Sequence, residues 1–182
     1  QRPLASRLFS SCGIAVCAVQ EVQIVVDAGT FGAGRGGHSH SDTLQIIVRR
    51  GGEELLVDPG TYTYVGDPVL RNWFRGSAAH NTIRIDGRDQ AVAHGPFGWQ
   101  SKPAVRVIDW DSSATADYID AECRYDSFTH RRRVLYVKPN LIYVLDTISS
   151  TGTNWHTVEQ FWHKSGHCEP LTPHAYEIGA TA

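Results

Sequence analysis

Two histidines stand two positions apart in the segment GHSHSD, directly after a long glycine-rich stretch. Residues two apart share a face of an extended chain, so the side chains of His38, His40 and Asp42 can point the same way. Asp58 ends a later apolar run, and folding that run back about a Gly-Gly turn brings Asp58 beside His40. His80 opens a further strand. Two imidazoles and a carboxylate from three strands are typical of a zinc site, with water or substrate in the fourth position.

Each of these motifs also has a purely structural interpretation. Histidine pairs are common on protein surfaces, Asp-Pro-Gly at 58–60 is typical of a turn, and His-Asn-Thr at 80–82 is typical of a strand start. The combination favours a functional site because it follows the glycine-rich loop at 29–37, and long loops on β scaffolds often carry function.

Strands are the elements that must position these residues. β-branched and aromatic runs alternate along the chain with Gly, Pro, Asn and Asp turn signals. The predicted strands are residues 14–19, 22–26, 44–50, 53–58, 82–85, 104–110, 116–123, 131–137, 141–148 and 157–162. The segment 67–74 fits a short helix or an irregular loop. Strands joined by short turns predict an all-β fold, an antiparallel β-sandwich or a barrel-like β-domain.

Composition narrows the function classes. With 182 residues the chain has room for one domain with a full core, and not for two ordinary ones. The formal net charge of -2 argues against nonspecific nucleic-acid binding, and no apolar run is long enough to span a membrane. Methionine is absent, even at position 1, so we expect the chain to be part of a longer protein. The four cysteines lack zinc-ribbon spacing, which favours free thiols and leaves a disulfide between distant strands open.

Several motifs follow one another in an order that resembles a known family. They are DAG at 27–29, GHSHSD at 37–42, LVDPG at 56–60, HNT at 80–82, DG at 86–87 and Gln90. Together they resemble the signature of the heparinase II/III-like polysaccharide lyases over about residues 8–148. The resemblance implies a supersandwich-like antiparallel β-sandwich that follows an N-terminal α/α-toroid. Residues 1–182 would then be the sandwich domain, excised from the larger protein without its toroid.

The resemblance also implies roles for individual residues. His40, Asp58 and His80 match the family's metal ligands, where a structural zinc ion usually binds. Two imidazoles favour zinc over calcium, which prefers oxygen ligands. His38 matches the histidine that faces the substrate cleft, and it is the candidate for the base or the charge-neutralising group. The family cleaves uronic-acid-containing polysaccharides by β-elimination with further groups from the toroid. We therefore expect an incomplete active site and a chain that is nearly inactive alone.

Three further residues are candidates for substrate binding. Arg71 and Arg75 could hold a carboxylate through their guanidinium forks, and Trp73 between them offers a platform for a sugar ring. Exposed arginines over a buried Trp73 and Phe74 are an equally good interpretation of this segment. Tyr64, in the loop after the Asp-Pro-Gly turn, could reach the cleft, although strand tyrosines more often pack in a core.

Arg131, Arg132 and Arg133 could mark a polyanion-binding patch. On a strand, however, Arg132 faces away from the other two. Because the chain as a whole is close to neutral, a solvated sheet edge is the favoured interpretation.

Two other functions fit an all-β chain with a histidine pair. A cupin-type metalloenzyme would need a glutamate shortly after the second histidine, where Thr43, Leu44 and Gln45 stand instead. A noncatalytic carbohydrate-binding β-module would keep its metal for stability alone. For the lyase, the expected partners are an acidic polysaccharide and the toroid domain of the same protein, with no nucleic acid and no membrane. The substrate class predicts a periplasmic or secreted bacterial protein.

Overall fold

Two antiparallel sheets pack around one core. The computed structural model describes residues 5–166 and, for 168–172 and 175–178, the backbone. The first sheet has five strands, which are neighbours in chain order: β1 (Arg7–Phe9), β2 (Ile14–Val19), β3 (Val22–Asp27), β4 (Ile46–Arg50) and β5 (Glu53–Leu56).

The residues between β5 and β7 lead from the first sheet to the second. In the described part of the chain, they pair with strands of neither sheet. This connection contains helix α1 (Pro68–Phe74), a 3-10 helix (Ser77–Ala79) and strand β6 (Ile83–Ile85). The second sheet has four long strands, again neighbours in chain order: β7 (Ala104–Ser112), β8 (Ala116–Tyr125), β9 (Phe128–Val137) and β10 (Leu141–Ser150). The remaining strands are β11 (Val158–Gln160), which pairs with β6, and the hairpin of β12 (Cys168–Thr172) and β13 (Ala175–Ile178). The predicted all-β antiparallel sandwich is confirmed.

Alternate side chains of both sheets form the core. Successive strand residues point to opposite faces, so one face of each sheet can be apolar. Ile24 and Val26 of β3 are buried against Ile119 of β8 and Val134 and Tyr136 of β9 in one cluster. The motif at 37–42 lies between β3 and β4 of the first sheet, and the motifs at 56–60 and 80–82 lie around the connection from β5 to β6.

Strand ends differ from the prediction next to the motifs. The strand predicted from residue 44 begins at Ile46, because Leu44 is buried in a left-handed conformation with φ 63°. β5 ends at Leu56, so Asp58 lies in the following loop rather than on the strand. In both places, the chain departs from regular strand pairing beside a motif.

Helix α1 forms because its first turn is capped. The Asp67 carboxylate accepts hydrogen bonds from the backbone N–H groups of Val69 (2.9 Å) and Leu70 (3.0 Å), and Pro68 stands in the first turn. Of the two structures that fit this segment in the sequence, the short helix is the one found.

The three arginines of β9 divide between the faces of the sheet. Arg132 is 1% exposed and points into the core, whereas Arg131 and Arg133 pair with Asp120 on the outer face. The prediction that Arg132 faces away from its neighbours is confirmed. The expectation of a solvated edge is wrong for Arg132, because the opposite face of this strand is the interior of the sandwich.

The structure describes the side chains of three of the four cysteines. Cys12, Cys17 and Cys123 are free thiols, while the Cys168 side chain lies outside the described residues. Within the described part of the chain, no helix has the length and apolar character that crossing a membrane requires.

Candidate metal centre and cleft

Two histidines and a carboxylate from separate segments converge beside the first sheet. One ligand atom each from His40, Asp42 and His80 lies within 4.8 Å of the others. The imidazole rings of His40 and His80 have centroids 5.2 Å apart. His40 and Asp42 belong to the segment before β4, and His80 directly follows the 3-10 helix. Two imidazoles and a carboxylate at this spacing fit a divalent transition metal.

His80 is fully buried, and its two ring nitrogens have different surroundings. Nδ1 donates a hydrogen bond to Oδ2 of Asp58 at 2.6 Å. Nε2 is buried and has no hydrogen-bond partner in the part of the chain that the structure describes. Asp58 also accepts from the backbone N–H of Gly60 at 2.8 Å. The carboxylate therefore fixes the orientation of the imidazole. If Asp58 is itself a ligand, a metal ion takes the place of the proton on Nδ1, whereas Nε2 is the nitrogen left for the ion if Asp58 only orients the ring.

His40 is neutral over the physiological pH range. Burial lowers its pKa to about 4, and the neighbouring His80 contributes in the same direction. Its Nε2 lies 3.2 Å from the Thr61 hydroxyl. A neutral imidazole is the form that binds metal ions.

The two nearby carboxyl groups differ in their electrostatics. Burial raises the pKa of Asp42 to about 6, and this group accepts a hydrogen bond from Nε2 of Gln45 at 3.0 Å. For Asp58, burial is the largest single effect and acts upward, but the hydrogen bond and charge of His80, the N–H of Gly60 and the charge of His40 together outweigh it, so the pKa is lowered. Asp58 is therefore the more readily ionised of the two.

The sequence predicted the convergence of these segments. His40 and His80 come together, and Asp58 reaches His80. Asp42, which the sequence placed on the same face as His40, is the carboxylate that lies within ligand distance of both imidazoles. Whether Asp58 binds the metal or orients His80 stays a prediction.

His38 lies beside the cluster at a small cleft. The cavity has a volume of about 200 Å³, and its lining includes Asp27, Thr30, His38, His40 and Asp42. His38 is exposed, unlike the metal-type residues.

Two aromatic rings lie next to the His38 ring. The His38 ring centroid lies 5.8 Å from that of Tyr64 and 6.2 Å from that of Phe97. Tyr64 is 46% exposed and therefore accessible to a ligand. A solvent-facing imidazole beside aromatic rings is available to a substrate.

Two arginines, one in α1 and one directly after it, are not on the surface. Arg71 and Arg75 are both 0% exposed, while Trp73 is 53% exposed, the reverse of the interpretation with exposed arginines over a buried tryptophan. The guanidinium groups of both arginines donate hydrogen bonds to the loop at 95–98.

The contacts of the two guanidinium groups differ. That of Arg71 donates to the carbonyl oxygen of Pro96 at 3.2 Å and lies 5.3 Å from the Tyr64 ring. Its Nη1 is buried and has no hydrogen-bond partner among residues 5–166. The guanidinium of Arg75 donates to Asn72 and to loop carbonyls, and lies 4.6 Å from the Trp99 ring.

Two amide side chains support the site in a way that sequence reasoning missed. Gln90 accepts from the backbone N–H of Thr43 at 2.9 Å and donates to its carbonyl at 3.0 Å. Asn81 donates to the carbonyl oxygens of Ile46 and Val57, both at 2.9 Å. Their signal in the sequence is a polar residue in or beside an apolar pattern, which does not reveal the partner.

Sequence comparison assigns the chain to a family. Residues 1–169 match the heparinase II/III-like C-terminal domain, so the chain belongs to the heparinase II/III-like family. It is 28% identical over 112 residues to a heparin-sulfate lyase of Bacteroides thetaiotaomicron, a match that covers 60% of this chain and 14% of that protein. Family membership separates the chain from the cupin-type alternative.

Solved structures share the fold. The heparan sulfate lyase HepC of Pedobacter heparinus matches with a TM-score of 0.65 and 21% identity over 79% of this chain and 22% of its own. A heparinase III structure matches with a TM-score of 0.73 and 23% identity over 90% of this chain and 24% of its own. The chain therefore spans a quarter or less of the length of these relatives.

Proposed function

We propose that this chain is the β-sandwich part of a polysaccharide lyase that cleaves uronic-acid-containing polysaccharides by β-elimination. Membership in the family supports the reaction class, and relatives named as heparin-sulfate and heparan sulfate lyases support the substrate class. The observation that carries the proposal is that an exposed His38 lines the same cavity as His40 and Asp42 of the metal-type cluster.

The reaction defines what His38 has to do. The proton at C5 of a uronate is weakly acidic while the adjacent carboxylate keeps its charge. A lyase must offset that charge, remove the C5 proton, and protonate the oxygen that leaves C4. The C–H electron pair becomes the C4–C5 double bond, and the C4–O bond breaks with its pair on oxygen. An imidazole suits the base or the charge-offsetting role because its pKa lies near neutrality.

A bound zinc ion is the cofactor of the proposal. His40 is neutral, the Asp58 carboxylate lies at Nδ1 of His80, and Asp42 lies beside both imidazoles, so the donors fit zinc. His40, His80 and Asp58 are the proposed ligands, and Asp42 is the competing carboxylate. When bound, the ion supplies a cross-link between chain segments, which is a structural role. His38 stands two residues from His40 and would be held in place by this cross-link.

Substrate binding is proposed for Tyr64, Arg71 and Arg75. Tyr64 is accessible beside His38, so it can contact a sugar ring directly. Arg71 lies 5.3 Å from the Tyr64 ring, and its Nη1 has no hydrogen-bond partner among the described residues, which favours an anionic group near Tyr64. Arg75 donates to carbonyl oxygens of the loop that carries Phe97 beside His38.

The rest of the active site is proposed to come from an α/α-toroid domain outside residues 1–182. The chain alone is then nearly inactive, because His38 lacks the groups that complete the reaction. A periplasmic or secreted location in a bacterium follows from the substrate class, and fractionation of cells tests it.

The test of the function is His38→Ala in the full-length protein, with His94→Ala as the control at another exposed histidine. Cleavage is followed by the near-ultraviolet absorbance of the unsaturated uronate product. We expect His38→Ala to lose about 10²–10⁴-fold in rate, as removal of a general acid or base does. Metal content and melting temperature stay unchanged, because His38 is exposed and outside the ligand set.

Two results would contradict the proposal. Full activity of His38→Ala would remove His38 from the chemistry. Retention of acidic polysaccharides by the unsubstituted full-length protein, without any unsaturated product, would favour the noncatalytic carbohydrate-binding module.

A further inference from the structure

A single buried side chain joins two segments of the candidate metal centre. Asn81 directly follows His80 in the chain. Its side-chain amide donates to the carbonyl oxygen of Val57, which directly precedes Asp58. Its Oδ1 accepts a hydrogen bond from the backbone N–H of His163. Asn81 therefore connects the segment of His80 to the segments of Val57 and His163 through hydrogen bonds.

Arg132 adds contacts from the opposite sheet. Its Nη1 donates to the carbonyl oxygens of Leu44 at 2.7 Å and of Asn81 at 2.6 Å. Leu44 stands two residues after Asp42 and has the left-handed conformation that turns the chain into β4. One guanidinium thus holds the segment that follows Asp42 and the residue that follows His80.

Asp146 of β10 fixes Arg132 in this position. Nε and Nη2 of Arg132 donate to the two carboxylate oxygens of Asp146 at 2.7 and 2.8 Å. His130 and Gln160 donate to the same carboxylate at 2.8 and 2.7 Å. The fork of Arg132 is therefore oriented by a carboxylate that is itself held from three sides.

The cost of this arrangement argues for more than stability. Burying an ion pair removes both charges from water, and the loss of hydration offsets most of their attraction. An apolar pair of the same size would fill the core at least as well. The guanidinium has one property that no apolar side chain has, since its N–H groups reach backbone carbonyls on two metal-bearing segments at once.

We propose that Arg132, oriented by Asp146 and acting with Asn81, is a positioning residue of the metal centre. It sets the separation of the segment that carries His40 and Asp42 from the segment that carries His80, before any metal binds. The inference rests on the metal centre of the proposed function and extends it to residues that do not touch the metal.

The arginine run supplies matched controls for the test. In the full-length protein, Arg132→Lys keeps the positive charge, but one ammonium group cannot span Asp146, Leu44 and Asn81 together. Arg131→Lys and Arg133→Lys make the same chemical change on the outer face of the strand. Three quantities are measured for each variant: Zn²⁺ affinity by competition with a chelator, the visible absorption of the Co²⁺-loaded protein, and the melting temperature of the metal-free protein.

We expect Arg132→Lys to bind Zn²⁺ about 10–100-fold more weakly, as loss of a residue that supports the ligands does. The Co²⁺ absorption bands shift, since they report the geometry of the ligands. Both control variants bind as the unsubstituted protein does. A melting temperature alone would fall for any buried arginine, so the Co²⁺ spectrum is the measurement that identifies positioning.

Unchanged Zn²⁺ affinity and an unchanged Co²⁺ spectrum in folded Arg132→Lys would overturn the inference and leave the network a stabilising one. If Arg132→Lys does not fold, Asp146→Asn carries the test, because it keeps the size of the side chain and loosens the fork. The same loss of affinity supports the inference, and unchanged binding overturns it. If the unsubstituted protein itself binds neither metal, the proposed metal centre fails together with this inference.

Discussion

His80 carries two contacts of different kinds on one ring. Nδ1 is occupied by Asp58, and Nε2 is buried with no partner among the described residues. A buried polar atom left without a hydrogen bond costs about 1–3 kcal/mol. At the scale of the residue, the two nitrogens separate two proposed ligand sets, because a metal ion at Nδ1 would share Asp58 and one at Nε2 would leave Asp58 as the orienting group.

Carboxylate variants distinguish a ligand from an orienting group. We expect Asp58→Asn to lose bound zinc and to lower the melting temperature, because an amide is a poor replacement for an anionic ligand. Asp42→Asn is expected to keep the metal. Elemental analysis and thermal melts of both variants are the measurements.

Asp111→Asn, at an exposed carboxylate of β7, is the control for this pair. Loss of zinc from Asp42→Asn with zinc retained by Asp58→Asn would move the ligand role to Asp42. Asp58 would then be the group that orients His80.

Turns hold the elements around the cleft. Gly13 precedes β2 with φ 73°, and its carbonyl accepts a hydrogen bond from the N–H of Ala28 at 2.9 Å. Ala28 leads from β3 into the glycine-rich loop at 29–37, which His38 directly follows. The turn before β2 therefore supports the start of that loop.

Gly13→Ala is expected to destabilise the protein more than Gly87→Ala does. Both glycines have positive φ, so both variants lose about 1–2 kcal/mol from backbone strain. A Cβ at Gly13 would lie 2.4 Å from the carbonyl oxygen of Ala28, whereas nothing lies within 4 Å at Gly87. Chemical denaturation measures the difference, which we expect to be about 1–3 kcal/mol from overpacking. Equal losses of unfolding free energy in the two variants would show that the residues around Gly13 accommodate the added methyl group without loss of stability.

Charged groups connect the two sheets across the whole molecule. Arg132 of the second sheet donates to Asp146 of the same sheet and to the carbonyl oxygen of Leu44, which lies just before β4 of the first sheet. His130 is part of the same cluster, and burial lowers its pKa even though its hydrogen bond to Asp146 acts in the opposite direction. Arg132 and His130 together lower the pKa of Asp146, against the effect of burial.

The stability of the fold is expected to fall on acidification through this cluster. The folded pKa of His130 lies below its ordinary value of 6.5, so the unfolded chain binds the proton first as pH falls. Below that value, His130 removes about 1.4 kcal/mol of stability for each pH unit until its folded pKa is reached. His130→Gln should therefore lose less stability than the unsubstituted protein between neutral and mildly acidic pH.

Denaturation curves at several pH values measure this difference, with His94→Gln as the control at an exposed histidine. Parallel pH profiles for the unsubstituted protein and His130→Gln would contradict the assignment. Asp146 contributes at lower pH in the same direction, since its folded pKa is depressed.

Local patterns and long-range packing were unequally visible in the sequence. Alternating apolar runs and glycine turns predicted the strands and the sandwich, because both signals act over a few residues. The ordered motifs predicted that His40, Asp58 and His80 converge. The burial of Arg71, Arg75 and Arg132 was not predicted, because it depends on partners that lie far away in the chain.

The positions of the charged residues along β9 favour a single register for its pairing with the neighbouring strands. A shift by one residue moves every side chain of a strand to the opposite face. Arg131 and Arg133 would then enter the interior without Asp120, and Arg132 would leave Asp146 behind as an unpaired buried anion. Such a pairing is strongly unfavourable. The run of three arginines therefore disfavours a pairing of β9 in which the register is shifted by one residue.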